Sequence, residues 1–129
     1  MASACGIPRM STRRSVEELT DDATAFAHAR AWEAFHDPKN LTMAIASEVG
    51  ELAEILRWVA NAESDAFASE PGNAKRIAHE IGDIGILLLL LCARLRMDLA
   101  TIIAEKLVEN GRRYPVEHSY GRSERPSDD

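Results

Sequence analysis

Apolar residues return every three or four positions through the middle of the chain. Leu41, Ile45, Leu52, Ile55, Leu56 and Val59, turned at ~100° per residue, fall on one side of an α-helix. The pattern predicts a helix from Leu41 to about Asn61, with Asn40 as its N-cap and Asp37-Pro38 breaking the element before it. Upstream, Ser15 and Glu18 make an S-x-x-E capping box that starts a helix expected to run to about Phe35. Downstream, Pro71, Gly72 and Asn73 punctuate the start of a third helix, roughly Ala74 to Arg96. Beyond Leu87 that helix is apolar nearly all round, so it must be covered on several sides. Asp98 is the expected N-cap of a fourth helix through "LATIIAEKLVENGRRY", which Pro115 ends.

No stretch carries a strand period, so the expected fold class is all-α, over a domain of residues 15–115. Residues 1–14 and the tail 116–129 are expected to be disordered, and "AESDAFASEPGN" to link the second and third helices without periodicity. Composition agrees: 129 residues, 46% hydrophobic and 28% charged, suit one globular domain, while 5% aromatic and 7 Gly favour helices joined by short turns.

The second helix raises a chemical question, because its apolar arc contains Glu48 and is edged by Glu51. The third helix repeats the arrangement: Glu80 lies among Ile77, Ile84, Leu88, Leu91 and Leu95, with Asp83 at the edge. Each pair is spaced i, i+3, so its side chains are neighbours that can aim at one point. If the two stripes pack, four carboxylates converge. Uncompensated buried charge opposes folding by several kcal/mol, so something positive belongs between them. A donor set made of oxygens suits a hard cation, Mg²⁺ first and Mn²⁺ as an alternative, better than Zn²⁺, which prefers the His and Cys that this set lacks. Either pair alone would read as ordinary surface carboxylates; two matched pairs shift the balance. Glu54 points away from the stripe and is left out.

The formal net charge of −6 fits a cation binder and speaks against a domain that grips nucleic-acid backbone. Cys5 and Cys92 read as free thiols in a reducing compartment, and "MASACGIPRMSTRRS" lacks a signal-peptide core, so a cytoplasmic protein is expected. "IGILLLLLCA" is about half the ~20 residues needed to span a bilayer, so no membrane is expected.

Positive and aromatic groups complete the candidates. Lys106, Asn110 and Arg113 share one face of the fourth helix, either as a phosphate-binding face or as cations complementing the helix dipole. Trp58, seven residues after Glu51, stands beside it on the expected helix, where it either stacks on a base or simply packs. Trp32 and His36, at i and i+4 beside Phe35, are partial core or a further ligand surface.

The segments "RAWEAFHDPKNL", "SEVGELAEILRW", "HEIGDI" and "EKLVENGRRYP", in that order, resemble the MazG-like all-α nucleoside triphosphate pyrophosphohydrolases, particularly the branch containing the dCTP pyrophosphatases. The resemblance covers about residues 28–115. It implies a four-helix bundle forming a homodimer or homotetramer that hydrolyses a (deoxy)nucleoside triphosphate to monophosphate and pyrophosphate. Carried over by position, Glu48, Glu51, Glu80 and Asp83 would hold Mg²⁺, Lys106, Asn110 and Arg113 would contact phosphates, and Trp32 and Trp58 would line the base pocket. Glu51, or a carboxylate beside it, would orient the attacking water. Where the dCTP-specific relatives have Tyr, this chain has Leu87, which removes a polar base contact. A ferritin-like di-iron bundle would need two E-x-x-H pairs and only Glu33 with His36 fits; a non-enzymatic helical interaction module with a solvated acidic stripe is the other alternative.

Overall fold

Ser15 opens the first helix as its pattern predicts. Its hydroxyl accepts from Glu18 N (3.1 Å) and its own N–H donates to Glu18 Oε2 (2.8 Å), a complete capping box. That helix, α1 (Val16–His28), stops short of the expected end at Phe35. Ala31 turns into the left-handed region (φ 51°) and Trp32–Phe35 form a separate 3-10 turn. The break lets Trp32 pack edge-on against Phe26, with ring centroids 5.9 Å apart, while the Arg30 guanidinium lies over the Phe26 ring, 3.5 Å from its centroid.

Helix α2 (Pro38–Leu56) begins earlier than expected. Asp37, not Asn40, is the N-cap: its Oδ1 accepts from Asn40 N at 2.9 Å. Pro38 occupies the first helical position, where its missing N–H costs nothing, so the Asp-Pro pair starts this helix as well as ending the previous element. Asn40 instead donates its side-chain amide to Phe35 O (3.2 Å), tying the 3-10 turn to α2. The helix ends at Leu56, five residues before the expected Asn61. A 3-10 turn (Asn61–Glu63) and a short helix α3 (Ser64–Ser69) fill the segment read as a link; fewer than two turns of helix show no periodicity to detect.

Helix α4 (Pro71–Arg94) again has proline at its first position. It ends in a Schellman turn, Met97 N donating to Cys92 O (2.8 Å) and Arg96 N to Ala93 O (3.1 Å), with Arg96 in the left-handed region (φ 56°) that favours glycine. Helix α5 (Leu99–Arg113) is capped by Asp98 through Thr101 N (2.9 Å), as expected. A final short helix, α6 (Val116–Ser119), lies in the segment read as a disordered tail.

The computed structural model describes residues 13–125, all helix, turn or irregular chain; Cys5 and most of the N-terminal segment lie outside the described residues. The chain divides into two compact units, one ending at Met97 and one beginning at Asp98. In the first, α2 and α1 both pack on α4, the α2–α4 pairing being the more extensive. No described helix is long and apolar enough to cross a membrane.

Ala27, Leu41 and Cys92 are the described apolar residues that are buried, and of these Leu41, at 1% exposure, is fully covered. We expect Leu41→Ala to cost about 2–5 kcal/mol by leaving a cavity at the root of α2, measurable as a lower urea midpoint. Large apolar residues including Ile81, Ile86 and Leu95 of the α4 region remain exposed on the single chain, so the cover this helix calls for is not supplied by α1 and α2 alone.

Candidate active site

Glu48 and Glu51 stand one turn apart on α2, Glu80 and Asp83 one turn apart on α4, and the packing of these two helices brings the pairs together. One carboxylate oxygen from each of Glu48, Glu51 and Glu80 lies within 4.8 Å of the others. Asp83 is close enough for its charge to act on Glu48. Glu80 is the most enclosed of the α4 pair, its side chain 15% exposed against 41% for Asp83.

Two oxygens of this cluster, Glu48 Oε2 and Glu80 Oε2, are buried with no hydrogen-bond donor. A buried acceptor left in that state opposes folding, and it has two remedies: a proton or a cation. Glu48 shows the first. A proton shared with Glu51, then burial, then the charges of Glu51 and Asp83, push its carboxyl from the ordinary 4.5 up to about 7. A divalent cation is the second remedy, and the donors fit one: closely spaced carboxylate oxygens, otherwise unsatisfied, are the ligands that a hard ion takes.

Sequence reasoning missed His79. It put no histidine in this set, yet His79 Nδ1 lies 3.5 Å from Glu80 Oε1 and 3.6 Å from Asp83 Oδ2, and these three side chains form a second close group sharing Glu80 with the first. The signal was present as the i, i+4 spacing to Asp83. An open groove of about 350 Å³ adjoins the cluster, lined by Glu51, Glu54 and Ile55 of α2 and by Lys75, Arg76, His79 and Glu80 of α4. Glu54, set aside on helical-wheel grounds, thus borders the groove, where it pairs with Arg57 at 2.9 Å.

The remaining candidates are placed as follows. Trp32 and His36 do touch, edge-on at 6.0 Å, but across the 3-10 turn and not along an α-helix. His36 also borders a small cavity of about 160 Å³ with Glu33 and Arg94. Trp58 lies beyond the end of α2, so the helical register that set it beside Glu51 does not reach it; its side chain is 84% exposed, with the Arg57 guanidinium 5.1 Å from the ring. Lys106, Asn110 and Arg113 stand on α5 in the second compact unit, where Lys106 pairs with Glu109 (2.6 Å) and Arg113 approaches Tyr114. Leu87 is half-buried, one turn beyond Asp83 on α4.

Two carboxylate pairs on packed helices make a geometry that can be compared with known proteins. A family model described as the MazG-like family matches residues 43–128, a span that includes both pairs. The chain belongs to the MazG-like family. It is 37% identical over 120 residues to dCTP pyrophosphatase 1 of Rattus norvegicus, covering 93% of this chain and 71% of that protein. With dCTP pyrophosphatase 1 of Bos taurus it shares 39% identity over 119 residues, 92% of this chain and 70% of that one. Among solved structures it is similar to a pyrophosphatase from Archaeoglobus fulgidus, with a TM-score of 0.73 and 31% identity, covering 83% of this chain and 99% of that chain. The all-α reading agrees with the described helices and with the structural likeness to that pyrophosphatase.

Proposed function

We propose that this MazG-like protein is an Mg²⁺-dependent pyrophosphohydrolase that cleaves a (deoxy)nucleoside triphosphate, a pyrimidine deoxynucleotide such as dCTP first, to monophosphate and pyrophosphate. The observation that carries the reading is the paired carboxylate cluster with two buried oxygens that no donor among the described residues satisfies. The relatives named dCTP pyrophosphatase supply the substrate class.

In this reading Glu48, Glu51, Glu80 and Asp83 hold the cation, Mg²⁺ or in its place Mn²⁺. When bound, such an ion lowers the pKa of a coordinated water and offsets charge on the phosphates. Glu51, the exposed member of the α2 pair, accepts the proton of the attacking water as its oxygen adds to phosphorus. The bond between the α and β phosphates breaks, and pyrophosphate carries away the electron pair. Lys106, Asn110 and Arg113 contact phosphate oxygens, with the guanidinium of Arg113 suited to a bidentate grip.

The aromatic residues are assigned to the base. The Trp58 indole is 84% exposed, which favours the stacking role over the packing one. Trp32 and His36 form the second aromatic surface. Leu87 in place of a tyrosine leaves an apolar contact where a hydrogen bond would discriminate, so selectivity among pyrimidine bases should be modest.

Copies of the chain associate as a homodimer or homotetramer in this proposal, supported by the exposed apolar residues of α4. A role in cleaning nucleotide pools in the cytoplasm follows from the same reaction. The test is a panel of natural and modified triphosphates with Mg²⁺ and product identification. Monophosphate plus pyrophosphate is expected, with dCTP among the best substrates; orthophosphate release, or no turnover of any nucleotide, would overturn the reading.

A further inference from the structure

Lys75 and Arg76 are the cations of the groove beside the carboxylate cluster, and nothing described so far gives them a task. They sit in the second turn of α4, one turn before His79 and Glu80. Both are exposed. Neither makes an ion pair with a described carboxylate, although Arg76 is four residues from Glu80 and Glu51 and Glu54 line the same groove. Arg57 and Lys106, by contrast, are paired with Glu54 and Glu109. Helix electrostatics offers no reason for the pair, since cations are favoured at the C-terminal end of a helix and these lie near the N-terminal end.

The groove carries both charges: α2 contributes Glu51 and Glu54, while α4 contributes Glu80, whose Oε2 lacks a donor among the described residues, with Lys75 and Arg76 about one turn before it. At about 350 Å³ it falls within the range of roughly 300–1,000 Å³ typical of small-molecule sites. Ile55 is its one aliphatic side chain and no Phe, Tyr or Trp lines it, so its character is set mainly by charge. An anion held beside a cation at the carboxylates meets both charges: the ion near Glu51 and Glu80, free phosphate oxygens near Lys75 and Arg76.

We propose that Lys75 and Arg76 form a phosphate wall that binds the terminal phosphates of the substrate, the portion released as pyrophosphate. The inference rests on the pyrophosphohydrolase reading and adds to it two residues that face the terminal phosphates. Lys75 supplies a mobile point charge and Arg76 a planar fork, which together offset charge that accumulates on the leaving group.

The probe is inorganic pyrophosphate with Mg²⁺, titrated into the full-length protein by calorimetry, alongside Mg²⁺ alone and steady-state kinetics. Lys75→Ala/Arg76→Ala is expected to weaken pyrophosphate binding and raise the nucleotide KM at least tenfold, while affinity for Mg²⁺ alone stays within twofold. Lys75→Arg should retain binding. Lys39→Ala, an exposed cation in the first turn of α2, controls for bulk charge and should change neither quantity. Pyrophosphate affinity within twofold of wild type in the double variant, or an equal loss in Lys39→Ala, would overturn the proposal. Should wild type bind pyrophosphate through these residues yet hydrolyse no triphosphate, the parent reading fails, and with it the leaving-group role, while the diphosphate contact at Lys75 and Arg76 remains. Turnover untouched by the double variant sinks this one alone.

Discussion

Glu80→Gln is expected to lower turnover by roughly 10³-fold or more while the cation-free protein melts at a higher temperature than wild type. The two effects have one cause. Glu80 belongs to both close groups, with Glu48 and Glu51 on one side and with His79 and Asp83 on the other, so no other single change removes an anionic oxygen from both. Glutamine keeps the volume and replaces a carboxylate by an amide. Its N–H₂ can donate toward Glu48 Oε2, the buried oxygen that lacks a donor, and like-charge repulsion across α2 and α4 falls.

Function and stability therefore move in opposite directions, as they do where a site is held in a strained state for its ligand. Thermal melting in EDTA, with and without excess Mg²⁺, reads one half of the expectation and pyrophosphate release reads the other. Wild type should gain stability from the ion and the variant should gain little. A variant that melts lower than wild type in EDTA and still turns over at a comparable rate would place the cation elsewhere.

The carboxylate pairs were legible from the sequence because they repeat the same i, i+3 spacing inside two apolar arcs, and helical periodicity over several turns is the most reliable pattern a chain offers. Boundaries were less so. Asp37-Pro38 reads equally as the end of one element and the beginning of the next, and the N-cap hydrogen bond to Asn40 decides it only in three dimensions. The early end of α2 moved Trp58 off the helical register, and the break at Ala31 did the same for Trp32, since a left-handed alanine has no sequence signature. His79 was passed over because the donor set was read as carboxylates alone, although its i, i+4 spacing to Asp83 puts the imidazole beside the cluster. Lys75 and Arg76 were invisible for a different reason: their meaning comes from the α2 residues across the groove.

Stability of the cation-free protein is expected to fall with pH in a window set by Glu48. Its folded-state pKa, about 7, lies above the ordinary 4.5, so the folded state holds this proton more tightly than the unfolded chain does. That contribution is fully present below about 4.5 and is lost as pH rises through about 7. Mg²⁺ must displace the same proton, so its apparent affinity should weaken by up to about tenfold for each pH unit below that value. The melting shift produced by a fixed Mg²⁺ concentration should accordingly be small near pH 5.5 and reach a plateau above about pH 8. At ~100 times the dissociation constant the plateau corresponds to about 2.7 kcal/mol, or roughly 10 °C for a chain of this size. Other groups titrate over the same range, and Glu48→Gln separates them: it stays neutral at every pH, so the part of the wild-type slope that it lacks belongs to Glu48. Wild type and variant losing stability in parallel between these limits, with equal Mg²⁺ shifts, would show that this carboxyl neither holds the proton nor yields it to the ion.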